Sequence, residues 1–268
     1  MRRILSFIPD SNQTGRHKTP NKLSKMSTVL ILGATSDMAV AIAKKFASNG
    51  YDIQLAARNK ERLSPLQSDL RIRYNINCTL HEFDAMKSAL HETFFESLPV
   101  KPEISICVFG YMVDQEKTQN EWKEAERTIQ VNYTGAVSIL NVIANYYASQ
   151  QKGCIAGISS VAGERGRMSN YIYGSAKAGF TAYLSGLRNR LFHVNVHVVS
   201  VQPGFVYTRM TEGLPLPGLL TAQPEAVGEA VFNAIQKKKN TVYIKWFWRW
   251  IMLIIRNIPE FIFKKLKL

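Results

Sequence analysis

The stretch Thr28-Val-Leu-Ile-Leu-Gly-Ala-Thr-Ser-Asp-Met-Ala39 constrains the fold of this chain more than any other part of it. It reads as an apolar strand that runs into a turn at Gly33 and then into a helix over 38–49, closed by Gly50. The same alternation continues downstream. Strands are expected near 29–32, 52–56, 77–83, 104–109, 154–159, 194–201 and 241–244, and helices near 38–49, 60–74, 87–98, 121–149, 171–192 and 224–237. Such alternation gives an α/β architecture, a doubly wound parallel sheet of about seven strands with helices on both faces. With 268 residues, 46% of them hydrophobic, the chain suits one domain with one sizeable core, and neither an internal repeat nor an interdomain linker divides it.

The net charge of +14 suggests a nucleic-acid binder until it is divided along the chain. Residues 1–26 carry six basic side chains and one acidic, and residues 237–268 carry nine and one, which together supply +13 and leave the middle at +1. A basic stripe on the folded body is therefore absent, and nucleic acid is not an expected partner. Residues 1–26 lack the apolar core and small-residue cleavage site of a secretory signal and read as a disordered basic extension. Cys78, Cys107 and Cys154 are an odd number set within or beside apolar runs, so they read as buried reduced thiols of a cytoplasmic protein.

Chemistry concentrates in Tyr171-Ile-Tyr-Gly-Ser-Ala-Lys177, with Ser160 thirteen residues before Tyr173. At i,i+4 on a helix, Tyr173 and Lys177 share a face, and an ammonium beside a phenol is expected to draw the phenol down from about 10. A phenol tuned in this way exchanges protons with a carbonyl oxygen near neutral pH. The turn after the first strand is where a Rossmann fold sets a dinucleotide pyrophosphate on backbone N–H groups. At the end of the second strand, Leu55-Ala-Ala-Arg-Asn59 offers Arg58, and no acidic residue, to a ribose 2′-substituent. That choice favours the 2′-phosphate of NADP(H) over NAD(H).

Together with Asn132 in Val131-Asn-Tyr-Thr-Gly135 and with Pro203-Gly-Phe-Val-Tyr-Thr208, these residues resemble the short-chain dehydrogenase/reductase family over roughly 27–244. The resemblance implies a catalytic set of Asn132, Ser160, Tyr173 and Lys177. Ser160 would hold the carbonyl oxygen, Tyr173 would give the proton, Lys177 would grip the nicotinamide ribose, and Asn132 would hold a water linking Lys177 to solvent. It implies cofactor contacts from Gly33, Thr35, Ser36, Asp37, Met38, Arg58, Asp84, Gly110, Tyr173, Lys177, Pro203, Gly204, Val206 and Thr208. It also implies a homo-oligomer. Of the family's three glycines in this turn only Gly33 is kept; Asp37 and Ala39 take the other two places, and Asp37 is expected to cap the following helix. The loop from 209 to 223 is expected to form a substrate lid.

Residues 245–268 carry Trp246, Trp248 and Trp250 among many aliphatic residues, and they end on lysines. Read as one helix, they place Arg249, Arg256, Glu260, Lys264 and Lys267 within about 80° of one another. This is expected to be an amphipathic tail lying in a membrane interface, too interrupted to span the bilayer. Docking on the chain's own body or on a second subunit is the alternative. With this tail, the chain resembles the reductases that complete the 2′-epimerisation of decaprenylphosphoryl ribose. That implies an enzyme on the inner face of the cell membrane, a polyprenyl-phosphate keto-pentose as substrate, a flavin oxidase as partner, and Arg165 and Arg167 as candidates for the substrate phosphate. Two other readings stay open: a ketoreductase of another lipid, acyl or nucleotide-sugar carbonyl, and a non-catalytic NADP-sensing membrane scaffold. No metal site is expected.

Overall fold

A computed structural model describes residues 27–213 and 215–267; the basic extension over 1–26 lies outside the described residues. The strands are β1 (Thr28–Leu32), β2 (Asp52–Ala57), β3 (Cys78–Glu82), β4 (Ile104–Cys107), β5 (Gly153–Ile158), β6 (Val196–Pro203), β7 (Phe205–Val206), β8 (Thr221–Ala222) and β9 (Thr241–Ile244). Seven of them form one parallel sheet in the order β3-β2-β1-β4-β5-β6-β9, and β7 pairs with β8 apart from it. In β1, Val29 sits between Ile53 of β2 and Ile104 of β4. Both faces of β1 are buried, which is why it reads as an unbroken apolar run.

The main helices are α1 (Asp37–Ala47), α2 (Ser64–Tyr74), α3 (His91–Glu96), α4 (Gln115–Asn120), α5 (Trp122–Ile129), α6 (Gly135–Gln150), α7 (Tyr171–Phe192) and α8 (Pro224–Gln236). Val29 and Ile31 pack with Ile42 and Phe46 of α1, Leu70 of α2 and Val231 of α8. Leu30 and Leu32 turn to the other face and pack with Phe95 of α3, Ile139 and Ile143 of α6 and Leu184 of α7. The period-2 alternation of side chains along a strand thus assigns each residue of β1 to one of two cores.

Two expected elements change and one unexpected helix appears. The single helix expected over 121–149 is divided. Glu121 adopts extended backbone between α4 and α5, and Gln130–Thr134 widens into a π turn before α6. α4 escapes the sequence pattern because Gln-Glu-Lys-Thr-Gln-Asn has no apolar period. The strand expected at 194–201 slides to Val196–Pro203, since Asn195 turns the chain with φ +57°.

The tail departs most from expectation. It forms two helices, α9 (Trp248–Asn257) and α10 (Glu260–Phe263), because Ile258 precedes Pro259 and takes ψ 123°. One face of α9 docks on the body: Trp248 and Met252 are 3% and 0% exposed and cluster with Val161. The Trp248 indole N–H donates to the Leu220 carbonyl at 3.2 Å, and Lys245 Nζ donates to the Leu219 carbonyl at 2.6 Å. The opposite face leaves Trp246, Trp250, Leu253, Ile254 and Phe261 exposed. Among the described residues no helix is long and apolar enough to cross a membrane.

Candidate active site

A cleft of about 750 Å³ opens along the carboxyl ends of the sheet strands, lined by Gly33, Arg58, Gly110, Ser160, Tyr173, Lys177 and Gly204 among others. β1 lies between β2 and β4, so chain order reverses at this point, where open α/β sheets leave a crevice for ligands.

At the β1 end, Gly33 takes φ +88°, and a Cβ there would come 2.6 Å from the backbone nitrogen of Phe109. A glycine is required for the turn to pass so close to the end of β4. Ser36, not Asp37, caps α1: its backbone is extended and its hydroxyl accepts from Ala39 N at 3.2 Å. Asp37 occupies the first helical position, and its carboxylate accepts from Arg209 N at 2.8 Å and pairs with the guanidinium at 3.3 Å. Arg209 also bonds the Thr35 carbonyl. The Asp37 carboxylate in this turn is therefore matched by a cation from the loop after β7. Thr35, Ser36, Asp37 and Met38 all line the cleft.

At the end of β2, Arg58 is exposed and lines the cleft, and so does Arg62 from the 3-10 turn Lys60–Leu63 that Asn59 caps. Arg62 belongs to no recognisable motif; the signal that would have found it is the Asn59 cap, which folds residue 62 back beside residue 58. Asp84 follows β3 and accepts from Met86 N at 3.0 Å. These groups make a cradle with a helix N-terminus at one end and two guanidinium groups at the other, which fits a phosphorylated dinucleotide.

The proton-handling end is assembled by α7. Ser160, Tyr173 and Lys177 face the cleft together, while Tyr171 is exposed and donates to Gln119. Ser159 is committed elsewhere, donating to the Lys177 carbonyl at 3.0 Å and sharing a 2.6 Å bond with Thr181. Asn132 is 1% exposed inside the π turn. Its amide donates to the carbonyls of Tyr111 and Thr128, and its oxygen accepts from Tyr111 N at 3.2 Å. That staple brings Gly110 so close that a Cβ on it would lie 3.1 Å from Asn132 Oδ1 and 3.7 Å from Lys177 Nζ. A widened turn at such a point is a common mark of a functional helix.

The expected direction of the Tyr173 shift is reversed. Enclosure in the cleft pushes the phenol up to about 12, with Ser160 opposing, and burial pushes Lys177 down to about 8. The i,i+4 spacing sets both on one face without bringing the ammonium onto the phenol oxygen. Lys177 Nζ donates to the Ile158 carbonyl at 3.0 Å and lies 5.8 Å from the Tyr173 ring centroid. Both groups therefore experience loss of water more than they experience each other.

Pro203 ends β6, Gly204 turns the chain, and Val206 in β7 and Thr208 follow along the cleft. A Cβ at Gly204 would fall 2.0 Å from the Trp248 indole, so the tail packs directly onto this turn and forms part of the cleft wall. Arg165, expected at a substrate phosphate, instead caps α9. It donates to the carbonyls of Ile255 at 2.6 Å and Ile258 at 2.7 Å and bonds Glu260 at 3.0 Å. A guanidinium at a helix C-terminus answers the orphan carbonyls there. Arg167 does line the cleft. The three cysteines are buried and free, with burial pushing each thiol up to about 12. No cluster of metal-ligating side chains occurs among the described residues.

A family model described as short chain dehydrogenase matches residues 27–216. The chain is 33% identical over 241 residues to an uncharacterized oxidoreductase of Mycobacterium tuberculosis H37Rv, covering 89% of this chain and 96% of that protein. An uncharacterized oxidoreductase of Streptomyces coelicolor is 29% identical, covering 89% and 95%. Among solved structures, a short-chain dehydrogenase from Sphingobium yanoikuyae in complex with NADPH superimposes with a TM-score of 0.76 at 23% identity, covering 88% of this chain and 97% of that one. A 7beta-hydroxysteroid dehydrogenase superimposes at 0.78 with 21% identity, covering 90% and 96%. With its strand–turn–helix, its π turn and its Tyr-x-x-x-Lys helix joined in one cleft, the chain belongs to the short-chain dehydrogenase family.

Proposed function

We propose that this chain is an NADPH-dependent ketoreductase whose substrate is a lipid-linked keto-sugar. The observation that carries the first half is the convergence of Ser160, Tyr173 and Lys177 on one cleft whose far end holds Arg58 and Arg62. When bound, NADPH supplies a hydride to the carbonyl carbon. Negative charge then grows on the carbonyl oxygen, and the chain must meet it with donors. The Ser160 hydroxyl donates to that oxygen. Tyr173, held protonated by its raised pKa of about 12, transfers the proton that completes the alcohol. Lys177 lends positive charge beneath the phenol and eases its loss of the proton. Asn132 fixes the Tyr111 backbone and so the floor of the site. Arg58 and Arg62, which line the cleft, would hold the 2′-phosphate, and the α1 N-terminus with Gly33 would hold the pyrophosphate.

The keto-sugar half rests on the likeness of the whole chain to the reductases of decaprenylphosphoryl-2-keto-ribose and on the tail. In this reading a flavin oxidase makes the 2-ketone and this chain returns it to the alcohol of opposite configuration. The exposed aromatic and aliphatic face of α9 and α10, next to Arg249, Lys264, Lys265 and Lys267, suits an anionic lipid surface on the inner face of the cell membrane. The test is NADPH oxidation by the purified chain with a polyprenyl-phosphate 2-keto-pentose, with mass spectrometry of lipid-linked sugars in cells lacking the protein. Turnover of that ketone and accumulation of it in the cells are expected. Turnover of only steroid-like or acyl thioester ketones would reassign the substrate, and no NADPH oxidation with any ketone would leave a cofactor-sensing scaffold. Replacing Trp246, Trp250 and Ile254 together by Ser should reduce flotation with anionic liposomes while leaving the docked face intact; unchanged flotation would remove the membrane.

A further inference from the structure

Three buried polar atoms on the substrate side of the cleft have no protein partner: Gln115 Nε2, Arg167 Nε and Asn170 Oδ1. All three residues line the same cleft as Tyr173. They are held there by contacts that leave the free atoms unused. Gln115 sits at the start of α4 and accepts from Ile172 N at 3.2 Å through its oxygen, so its amide nitrogen is the end left over. Asn170 stands just before α7; its backbone carbonyl accepts from Gly174 N at 2.7 Å, while its side chain makes no cap hydrogen bond to the helix. Arg167 bonds the Met252 thioether at 3.2 Å, a weak acceptor for a guanidinium. Glu164, near Arg167, pairs with Arg256 through Oε2 at 3.6 Å and leaves its own Oε1 without a hydrogen-bond partner, although Glu164 does not line the cleft.

Buried polar atoms are normally satisfied, and each exception calls for a reason. Here three of the exceptions fall in one cleft, the one that Tyr173 also lines. A donor from an amide, a donor from a cation and an acceptor from an amide form an array that an apolar ketone would leave unpaired. A polyhydroxylated, anionic ligand would satisfy it.

We infer that Gln115, Arg167 and Asn170 form a substrate subsite, in which Arg167 takes a phosphodiester oxygen and the two amides take neighbouring sugar hydroxyls. This rests on the keto-sugar reading above and adds the groups that recognise the sugar and its linker. Met252 of α9 contacts the Arg167 guanidinium and Trp248 lines the same cleft, so the docked face of the tail supports the recognition site.

The test uses the full chain saturated with NADP+, so that the nucleotide's own phosphates occupy Arg58 and Arg62. Farnesyl phosphoryl ribose and the neutral farnesyl riboside are titrated by calorimetry. Wild type should bind the phosphoryl compound about tenfold or more tighter than the riboside, as expected for a charge-assisted contact, and Arg167→Gln should bring that ratio to about one. Gln115→Ala and Asn170→Ala should each weaken both probes about three- to tenfold and leave the ratio unchanged. Equal binding of the two probes by wild type would overturn the assignment, whether or not the variants fold; so would an Arg167→Gln protein that binds NADP+ normally and keeps the ratio. If the probes behave as expected but the matching keto-sugar is not reduced, the subsite stands and the keto-sugar reaction fails alone.

Discussion

The two ends of the cleft are built in opposite ways. The nucleotide end is local: Gly33, Ser36 and Asp37 lie within one turn after β1, and Arg58 and Arg62 lie within one turn after β2. The substrate end is assembled from afar, with Gln115 from α4, Arg167 and Asn170 from the loop before α7, and Trp248 and Met252 from the tail. Apart from Arg209, which reaches Asp37 and Thr35 from the loop after β7, the residues of this end are set by caps and turns of their own segments, and a local site of that kind can keep its geometry through many changes elsewhere. A remote site depends on the packing of elements that do nothing else for the core. The comparison predicts that changes at the substrate end disturb stability and selectivity together, whereas changes at the nucleotide end alter binding alone.

The strongest break in this comparison is at the residue joining the two ends. Tyr173→Phe removes the proton donor without changing shape, so turnover of any reducible ketone should fall by about 10²–10⁴ while NADPH affinity is kept. Single-turnover kinetics and a cofactor titration on the same sample separate the two effects. Turnover within about threefold of wild type, far short of the 10²–10⁴ that acid–base catalysis contributes, would move the acid elsewhere.

What could be read from the sequence follows the same division. The sheet, its seven strands and the convergence of Ser160, Tyr173 and Lys177 follow from apolar periodicity and from spacing along single elements, which are local signals. Arg62 was legible only through the Asn59 cap, and the contacts of Arg209 and Trp248 were illegible. Arg209 meets Asp37 across 172 positions, and Trp248 meets Gly204 only because α9 folds back. The tail shows the limit most clearly. An all-round apolar helix interrupted by arginines is compatible with lipid or with the protein's own surface, and the structure uses one face for the body and leaves the other open. Asp37 shows a subtler one: Ser36 and Asp37 are both good caps by composition, and only the extended backbone at Ser36 decides between them.

Trp248→Ala tests the dependence of the substrate end on the tail. Trp248 is 3% exposed and packs against Gly204 and Phe205, so truncation opens a cavity. A loss of about 3–5 kcal/mol is expected from the usual cost of removing a buried tryptophan side chain. Chemical denaturation measures it. Stability unchanged within experimental error would mean that α9 is a loose appendage and that the two ends do not differ in the way proposed. At the nucleotide end, the double variant Arg58→Ala with Arg62→Ala should leave stability nearly unchanged and lose about 1.5–3 kcal/mol of the preference for NADPH over NADH. Titrating both cofactors against both proteins shows it; equal affinities in the wild type would remove the cradle assignment.

The smallest expected effect is a pH dependence, and its sign can be worked out from the burial of two groups. Lys177 is pushed down to about 8 and is mostly charged at pH 7; Tyr173 is pushed up to about 12 and stays protonated throughout the neutral and mildly alkaline range. Cys107, beside Lys177, is pushed up to about 12 and stays neutral there, so it supplies no charge to oppose the effect of burial on Lys177. The proton donor is thus constant while the charge beneath it disappears as pH rises through about 8. Reductive kcat/KM should be level below that point and fall about tenfold per pH unit well above it, the signature of one proton. Lys177→Arg carries a charge that does not titrate in this range, so its profile should lose the alkaline limb even though its rate is lower at pH 7. A wild-type profile that stays level to pH 10 would show that the Lys177 charge contributes nothing to proton delivery, and an alkaline limb retained in Lys177→Arg would assign the titration to another group.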